Sequence, residues 1–211
     1  ISLAVGANLI PVDVTAQDTT TTQTYFVTVN RAASSDATLS SLGLSTGPIS
    51  PSFAPSVTGY TSTVSNLVTT VKVIAQPNHS SATAVVNGGN PIALAVGANP
   101  VPVEVTAADG TTKITYTVTI TRAPSSDARL SNLTSSTGTL APSFASGTTN
   151  YSLAVANSVT TLTLTPTVNE PNATAVVNSG NPISLAVGAN PITVTVTAQD
   201  GSTPRQYTVT V

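Results

Sequence analysis

Residues 90–100 read NPIALAVGANP, and almost the same phrase returns at 181–191 as NPISLAVGANP. The shift between the two copies is 181 − 90 = 91 residues. The chain also opens on this phrase, because ISLAVGAN at 1–8 aligns with 92–99 at the same shift of 92 − 1 = 91 residues. Internal periodicity identifies repeat architectures, so this phrase divides the whole chain into units.

The shift holds without a gap across a full unit, as five pairs of identical residues show: Tyr25 and Tyr116, Arg31 and Arg122, Asp36 and Asp127, Phe53 and Phe144, Tyr60 and Tyr151. Arg-Ala closes a unit at 31–32 and again at 122–123, and Ser-Ser-Asp opens the next unit at 34–36 and 125–127. We therefore predict three parts. Residues 1–32 are the C-terminal half of a truncated β-sandwich repeat, and 33–123 and 124–211 are complete repeats.

Within a unit the apolar residues recur with a period of two, which is typical of half-buried strands. The valines of 101–105 alternate with Pro102 and Glu104, and Asp109-Gly110 then supplies turn residues. From Ile114 to Thr121 the apolar residues alternate with threonines, which are Thr115, Thr117, Thr119 and Thr121. This hairpin is predicted to have a core face and a solvent face.

Shorter strands are predicted at 37–44, 60–64, 70–75, 82–86 and 92–96, between clusters of Gly, Pro and Asn. About seven strands in about 90 residues favour an all-β fold, an immunoglobulin-like sandwich of two packed sheets. No segment has the pattern of an amphipathic helix. Pro102 indicates that the penultimate strand lies at a sheet edge or contains a bulge.

Composition excludes several classes of protein. Charged residues make up 7% of the chain, against roughly 25% in ordinary soluble domains. A net charge of −2 with six basic residues cannot neutralise a run of phosphates, so nucleic acid is not an expected partner. No apolar stretch approaches the roughly 18 residues that a spanning helix needs, so no membrane insertion is expected for this segment.

Cysteine and methionine are absent, which removes disulfides, thiolate nucleophiles and soft-metal ligands. The Thr-rich, charge-poor strands and the first residue, Ile1 rather than Met, favour an extracellular or cell-surface location. Most Tyr and Phe residues fall on core-facing positions, and there is no Trp. Tyr60 and Tyr151 each open a strand, where the ring packs and the hydroxyl bonds backbone, as in a tyrosine corner.

Reactive residues are too few and too scattered for an active site. Asp109 and Asp36 recur in the next unit, and we interpret them as residues of a hairpin turn and of a linker turn. Calcium bound at module junctions is the alternative, with backbone carbonyls completing the ligand set. His79 is the only histidine, and Glu170 stands at its repeat position. We predict no catalytic, cofactor-binding or metal-binding residue and no enzymatic activity.

Three segments together resemble a known family: SSDATLSSL at 34–42 with Tyr60 after it, AADG at 107–110, and YTVTITR at 116–122. They resemble the bacterial cadherin-like β-sandwich domain over both complete repeats and the opening fragment. The family carries no active-site residues. Its members occur as repeats in large secreted or cell-surface proteins, which implies a role as a stalk, spacer or adhesin.

Two functions are therefore considered. In the first, the repeats are structural modules of a stalk, adhesin or fibre, and their partners are neighbouring modules of the same array or neighbouring subunits. The short junction from Arg31 to Asp36 then predicts an extended rod. In the second, the outward threonines stand about 6.7 Å apart along a strand and bind a regular surface, either a polysaccharide or ice.

The opening hairpin poses a separate question. Its inward residues form an apolar face without the first half of a sandwich to cover it: Ile10, Val12, Val14, Tyr25, Val27 and Val29. An isolated hairpin is marginally stable in water, so we expect this face to be covered. Preceding residues of a longer polypeptide are the favoured cover, and strands from a neighbouring chain are the alternative.

Overall fold

A computed structural model describes residues 1–202 and 204–211. All regular elements among these residues are β-strands, and the chain forms two compact units, 1–122 and 123–211. None of the described residues belongs to a helix that is long and apolar enough to cross a membrane. The predicted all-β fold of tandem sandwich modules is confirmed.

The first unit opens with an antiparallel hairpin that forms a two-stranded sheet of its own, made of β1 (Gly6–Thr15) and β2 (Thr22–Arg31). A sandwich follows, with strands β3 (Leu39–Leu44), β4 (Gly59–Val64), β5 (Thr70–Val71), β6 (Val73–Pro77), β7 (Thr83–Val86), β8 (Ile92–Ala93), β9 (Gly97–Thr106) and β10 (Lys113–Arg122). Its larger sheet has the order β4-β10-β9-β7, in which β4 and β10 run parallel. The antiparallel pairs β3-β6 and β5-β8 supply the rest of the sandwich.

The second unit repeats this plan with β11 (Leu130–Ser135), β12 (Leu140–Ala141), β13 (Asn150–Leu153), β14 (Thr161–Leu162), β15 (Leu164–Val168), β16 (Thr174–Val177), β17 (Ile183–Ser184), β18 (Pro191–Thr197) and β19 (Arg205–Thr210). Its larger sheet has the order β12-β13-β19-β18-β16, and β13 runs parallel to β19. The pairs β11-β15 and β14-β17 complete it. Corresponding strands of the two units therefore make corresponding pairings.

Each core is built by the alternation that the sequence shows. Six inward side chains of β9 and β10 have at most 2% of their surface exposed, namely Val101, Val103, Val105, Tyr116, Val118 and Ile120. They pack against Leu39 and Leu42 from β3 and Val71 and Val73 from the opposite layer. Full burial of one such aliphatic side chain contributes about 1.5–3 kcal/mol, so these strands hold the sandwich together.

Two predicted strands are shorter in the structure than the apolar pattern suggests. The segment predicted at 70–75 is two strands, because 70–71 pairs with β8 whereas 73–77 pairs with β3. The strand predicted at 92–96 ends at Ala93. Beyond it, Ala95 donates its N–H to the Asn99 side chain at 2.9 Å, and Gly97 has a φ of 93° that turns the backbone.

The expectation that Pro102 marks an edge strand or a bulge is wrong. Strand β9 lies inside the sheet between β10 and β7, and its pairing with β10 is continuous. Pro102 directs its carbonyl to the β7 side, where it accepts from the N–H of Asn87 at 2.9 Å. Strand β7 ends at Val86, so its pairing with β9 stops before Pro102. Pro102 has no N–H to donate, and because no ladder hydrogen bond is required of it there, none is lost.

Candidate functional site

The outward threonines of β10 form a row on the solvent side of the first sandwich. Thr117 and Thr119 each lie between two fully buried residues of the same strand, such as Tyr116 and Val118 around Thr117. Thr115 and Thr121 are exposed, and Thr117 and Thr119 are half-buried by their neighbours. The structure thus places the predicted ladder in solvent.

Neighbouring strands widen this row. The parallel pairing with β4 puts Thr61 beside Thr119 and Thr63 beside Thr121. We call these six threonines of β4 and β10 the first threonine face. Two charged side chains, Lys113 and Glu104, lie at one end of it. They form an ion pair, with 2.7 Å between Lys113 Nζ and Glu104 Oε1. Both side chains are well exposed, so this ion pair adds little to stability.

The second unit carries a corresponding surface, which we call the second threonine face: Thr174, Thr193, Thr195, Thr197, Thr208 and Thr210, with Asn150 and Ser152 beside them. None of these side chains is charged. Asn178 donates to the hydroxyl of Thr195 at 2.9 Å, which fixes one member of the face. This face is not among the predictions from the sequence, although the same period-two pattern at 191–197 could have identified it.

The chemistry of both faces is that of a neutral lattice of hydroxyl groups. Outward side chains repeat at about 6.7 Å along a strand and about 4.8 Å between strands. Each hydroxyl both donates and accepts a hydrogen bond. None of the side chains that define the two faces exchanges a proton near neutral pH. Such a surface is suited to many weak contacts with a neutral polar polymer and not to bond-breaking chemistry.

Four of the five tyrosines lie in the cores, as predicted from the sequence, and are closed to a sugar ligand. Tyr60 is 2% exposed, and its hydroxyl oxygen lies 2.8 Å from the carbonyl oxygens of both Ala54 and Val57, which share its single O–H donor. Its ring stacks with Phe53 at 6.1 Å between centroids. Tyr151 and Phe144 repeat these contacts in the second unit.

Tyr116 on β10 and Tyr207 on β19 are fully buried, and the hydroxyl of each is bonded to the first strand of its sandwich. The Tyr116 hydroxyl donates to the carbonyl of Pro55 at 2.7 Å and accepts from the N–H of Leu39 at 3.3 Å. Tyr207 makes the equivalent bonds, with Ser146 and Leu130 as partners. Tyr116 and Tyr207 therefore join segments that are far apart in sequence, whereas Tyr60 and Tyr151 bond the loop that directly precedes their own strand.

The recurring aspartates hold turns, in agreement with their interpretation from the sequence. Asp109 accepts from the N–H groups of Thr111 and Thr112, at 2.8 and 2.9 Å, and from the Thr112 hydroxyl at 2.6 Å. The Thr112 hydroxyl and then the backbone donors lower the pKa of Asp109 to about 2. Asp18 and Asp200, at the repeat positions, also have a lowered pKa from hydrogen bonds in the same turn.

The junction aspartates connect the start of each sandwich to a distant loop. Asp36 accepts from the N–H and hydroxyl of Thr38 and from the Asn78 side chain at 2.8 Å, and these bonds lower its pKa. The guanidinium of Arg129 holds the pKa of Asp127 well below its usual range. Asn169 adds a hydrogen bond to Asp127 at 2.7 Å.

Acid should destabilise both units in a defined pH range. The folded-state pKa of Asp109 is below its unfolded value of 3.8, so its contribution to stability is complete above about pH 4 and is lost as the pH falls toward 2. We expect the free energy of unfolding to decline between pH 4 and pH 2, as measured by urea denaturation. Replacement of Asp109 by Asn should flatten the decline, whereas Asp13→Asn serves as a matched control. An unchanged slope in Asp109→Asn would contradict the assignment.

No three His, Cys, Asp or Glu residues within 1–202 and 204–211 are grouped closely enough to hold a metal ion. His79 lies in the loop at 77–81, where its Nδ1 accepts from the N–H of Ser81 at 3.2 Å. The Glu170 carboxylate accepts from the Asn172 side chain at 3.1 Å. These contacts are local loop contacts. The charge of His79 is also one of the smaller causes of the lowered pKa of Asp36.

A second surface lies on the opening hairpin, where the predicted apolar face is exposed in this chain. Val12, Val14, Tyr25 and Val27 are 45–53% exposed. The residues 91 positions later are all fully buried, with the same cross-strand pairing. The opposite side of the hairpin also exposes Leu9 and Phe26, at 63% and 61%, which the sequence analysis missed. Position 26 is Phe where the next repeat has Thr117, and this difference could have indicated an apolar residue on the outer side of the hairpin.

Comparison with known proteins gives one strong match. A family model described as Cadherin-like beta sandwich domain matches residues 37–123 and 130–211. No curated protein sequence matches the chain.

Among solved structures, the chain aligns with protocadherin gamma B7 extracellular cadherin domains 1–4 at 12% identity and a TM-score of 0.32, covering 90% of this chain. It thus spans about half, 52%, of that protocadherin chain. It aligns with fibronectin(III)-like modules of Clostridium thermocellum CbhA at 15% identity and a TM-score of 0.21, covering 81% of this chain and 94% of that one.

Proposed function

Because the chain belongs to the family of cadherin-like β-sandwich domains, we propose that it is a structural segment of an extracellular or cell-surface stalk, adhesin or fibre. One observation carries the proposal. Two successive units repeat not only their sequence but also the hydrogen bonds of their buried tyrosines, 91 residues apart. What is repeated is packing, and the recurring polar residues are used to hold turns and strands. We infer a mechanical role without catalysis.

The junction between repeats supports an array with restricted bending. Strand β10 ends at Arg122, and Ser125 is already bound within the second unit. Its N–H donates to Gln199 Oε1 at 3.1 Å, its carbonyl accepts from the N–H of Asp200 at 3.0 Å, and it is 6% exposed. Only residues 123 and 124 separate the strand end from this attachment. We propose that so short a junction gives successive repeats little independent movement.

Small-angle scattering tests this proposal on chains of one, two and four complete repeats. The maximum dimension should grow nearly in proportion to the number of repeats, because each short junction transmits the direction of the preceding module. A matched chain with a Gly-Ser linker inserted after Arg122 should give a broader distribution of distances and a smaller increase. Equal curves for the native and the linker chains would refute the proposal.

The second threonine face favours a second candidate function, binding to a regular polysaccharide or ice surface. Its outward threonines present a charge-free lattice over several strands of one sheet. Because many weak hydroxyl contacts add up only when the surface is regular, we expect binding to insoluble polymers rather than to short sugars.

Pull-down on insoluble polysaccharides and thermal-hysteresis measurements test the candidate. Thr117→Lys and Thr208→Lys, 91 residues apart, each place a long charged side chain in the middle of a threonine face. Together they should reduce any binding at least about tenfold, since a displaced contact of 1.4 kcal/mol has that effect. Ser80→Lys, in an exposed loop away from both faces, is the matched control. Absence of binding by the unmodified chain at high concentration removes this candidate.

A further inference from the structure

The turn between β7 and β8 carries the one Asn-Gly pair in the sequence, Asn87-Gly88. The backbone N–H of Asn87 donates to the carbonyl of Pro102 at 2.9 Å, which fixes the start of the turn. Gly88 follows with a φ of 97°, a left-handed conformation that residues other than glycine rarely adopt. Both residues are exposed. The pair is therefore open to water in a turn whose start is held by the sheet.

The nitrogen of Gly88 is accessible as well as exposed. Within residues 1–202 and 204–211 its N–H donates to no acceptor, and a Cβ added at this position would have open space within 4 Å. The Asp109-Gly110 turn differs in both respects. Gly110 donates its N–H to the carbonyl of Ala107 at 3.0 Å. Asp109 has a pKa of about 2, so near neutral pH it is a carboxylate and a poor target for a nucleophile.

The second unit holds the corresponding asparagine in place. Asn178 begins its turn in the same way, because its N–H donates to the carbonyl of Thr193 at 2.9 Å. Its carboxamide also donates to the hydroxyl of Thr195 at 2.9 Å. The next residue is Ser179, whose side chain stands beside the backbone nitrogen. Both features hinder attack on the carboxamide of Asn178.

The first unit lacks this hold on the carboxamide. Glu104 occupies the repeat position of Thr195, and its carboxylate accepts from Lys113 Nζ at 2.7 Å. Among the residues that the structure describes, the Asn87 carboxamide has no hydrogen-bond partner. Its rotation toward the nitrogen of Gly88 therefore breaks no side-chain hydrogen bond.

We propose that Asn87 is a site of spontaneous deamidation, with water as the only reactant. Asparagine is a chemically labile residue. The deprotonated backbone nitrogen of Gly88 attacks the carboxamide carbon of Asn87 and forms a C–N bond that closes a succinimide ring. The carboxamide C–N bond breaks, and its nitrogen takes up protons from solvent and leaves as ammonia. Water then opens the ring at either carbonyl, which gives an aspartate or an isoaspartate at position 87.

The modification changes charge and backbone length at one place on the first sandwich. The net charge falls from −2 to −3, because a neutral carboxamide becomes a carboxylate. The contact between Asn178 and Thr195 indicates that the new carboxylate lies on the side of Glu104. An isoaspartate also lengthens the backbone before Asn90, whose side chain bonds the N–H and carbonyl of Val73 at 3.1 and 2.9 Å. The product thus adds negative charge beside an ion pair and loosens an anchored loop.

Mass spectrometry of the full chain tests the proposal after incubation in mildly alkaline buffer. Trypsin places Asn87 in the peptide 73–113 and Asn178 in the peptide 130–205. The mass increase from exchange of NH2 for OH should appear at Asn87 at least about tenfold faster than at Asn178, which corresponds to about 1.4 kcal/mol in activation free energy. An isoaspartate-specific methyltransferase should label the first peptide and not the second.

Two variants check the assignment to this turn. Asn87→Gln should abolish the mass increase at position 87, because the longer side chain has to close a larger ring. Ser179→Gly is the matched gain of reaction, since it gives the second unit the Asn-Gly pair. It should raise the rate at Asn178 but leave it below that at Asn87, because Thr195 still holds the carboxamide.

The same incubation in concentrated urea separates the folded turn from its local sequence. Asn87 should react at a comparable rate in the folded and the unfolded chain, whereas Asn178 should react much more slowly in the folded chain. The proposal is overturned if Asn87 stays unmodified in the folded chain while the unfolded chain is converted, or if Asn87 and Asn178 react equally fast when folded. It is independent of the function proposed above, since it requires only the turn and water.

Discussion

Replacing Tyr116 by Ala should destabilise the first sandwich by about 3–5 kcal/mol, whereas the same change at Tyr25 should alter the free energy of unfolding by no more than about 0.5 kcal/mol. The two tyrosines occupy the same position in the repeat. Tyr116 has no exposed surface and joins Pro55 to Leu39 through its hydroxyl. Tyr25 is 53% exposed. Its removal therefore leaves neither a cavity nor an unsatisfied polar group.

Urea denaturation followed by circular dichroism measures both changes on the full chain. Tyr207→Ala, with its fully buried ring, should match Tyr116→Ala and destabilise the second unit instead of the first. A loss of more than about 2 kcal/mol in Tyr25→Ala would show that the hairpin face is already packed, and would contradict the exposure described above.

A chain in which a copy of residues 33–91 precedes Ile1 should gain a third cooperative sandwich. Such a copy continues the repeat without a gap, because Ile1 aligns with Ile92 at a shift of 91 residues. Its strands would cover the inward face of the hairpin, where Val12, Val14 and Val27 are about half exposed. Each of these side chains contributes about 1.5–3 kcal/mol on full burial, so the gain should exceed that of any single substitution.

Two measurements check this expectation. The denaturant dependence of the unfolding free energy should rise in proportion to the newly buried surface, and quenching of Tyr25 fluorescence by iodide should fall. Val12→Asp in the lengthened chain is the matched control, because it places a charge in the new core and should abolish the third transition. Retention of full Tyr25 quenching would rule out completion of the module by preceding residues of the same polypeptide.

The alternative cover, strands from a neighbouring chain, has its own outcome. Residues 33–91 added as a separate polypeptide should reduce Tyr25 quenching if the hairpin accepts strands from another molecule. Denaturing electrophoresis of native material also separates the two cases. A band far above 21 kDa indicates a long covalent array, and a band near that mass from filamentous material indicates assembly of subunits.

The sequence alone determined the division into repeats and the identity of the core. A shift that holds from Tyr25 to Tyr151 can arise only from duplicated units, and a period of two assigns each strand residue to one face. For that reason the buried valines of 101–105 and the buried Tyr60 were predicted correctly. These properties are local, since they depend on a residue's position within its own strand or its own repeat.

The tertiary structure alone decided which strands are neighbours. Period two does not say which strand lies alongside, so the parallel pairing that sets Thr61 beside Thr119 and the central place of Pro102 could not be deduced. The same holds for the side-chain hydrogen bonds of Arg122. Arg122 takes its acceptors from Asn66 and Leu94, which are 56 and 28 residues away along the chain. Such contacts depend on closure of long loops around the core, and residue spacing along the chain carries no record of it.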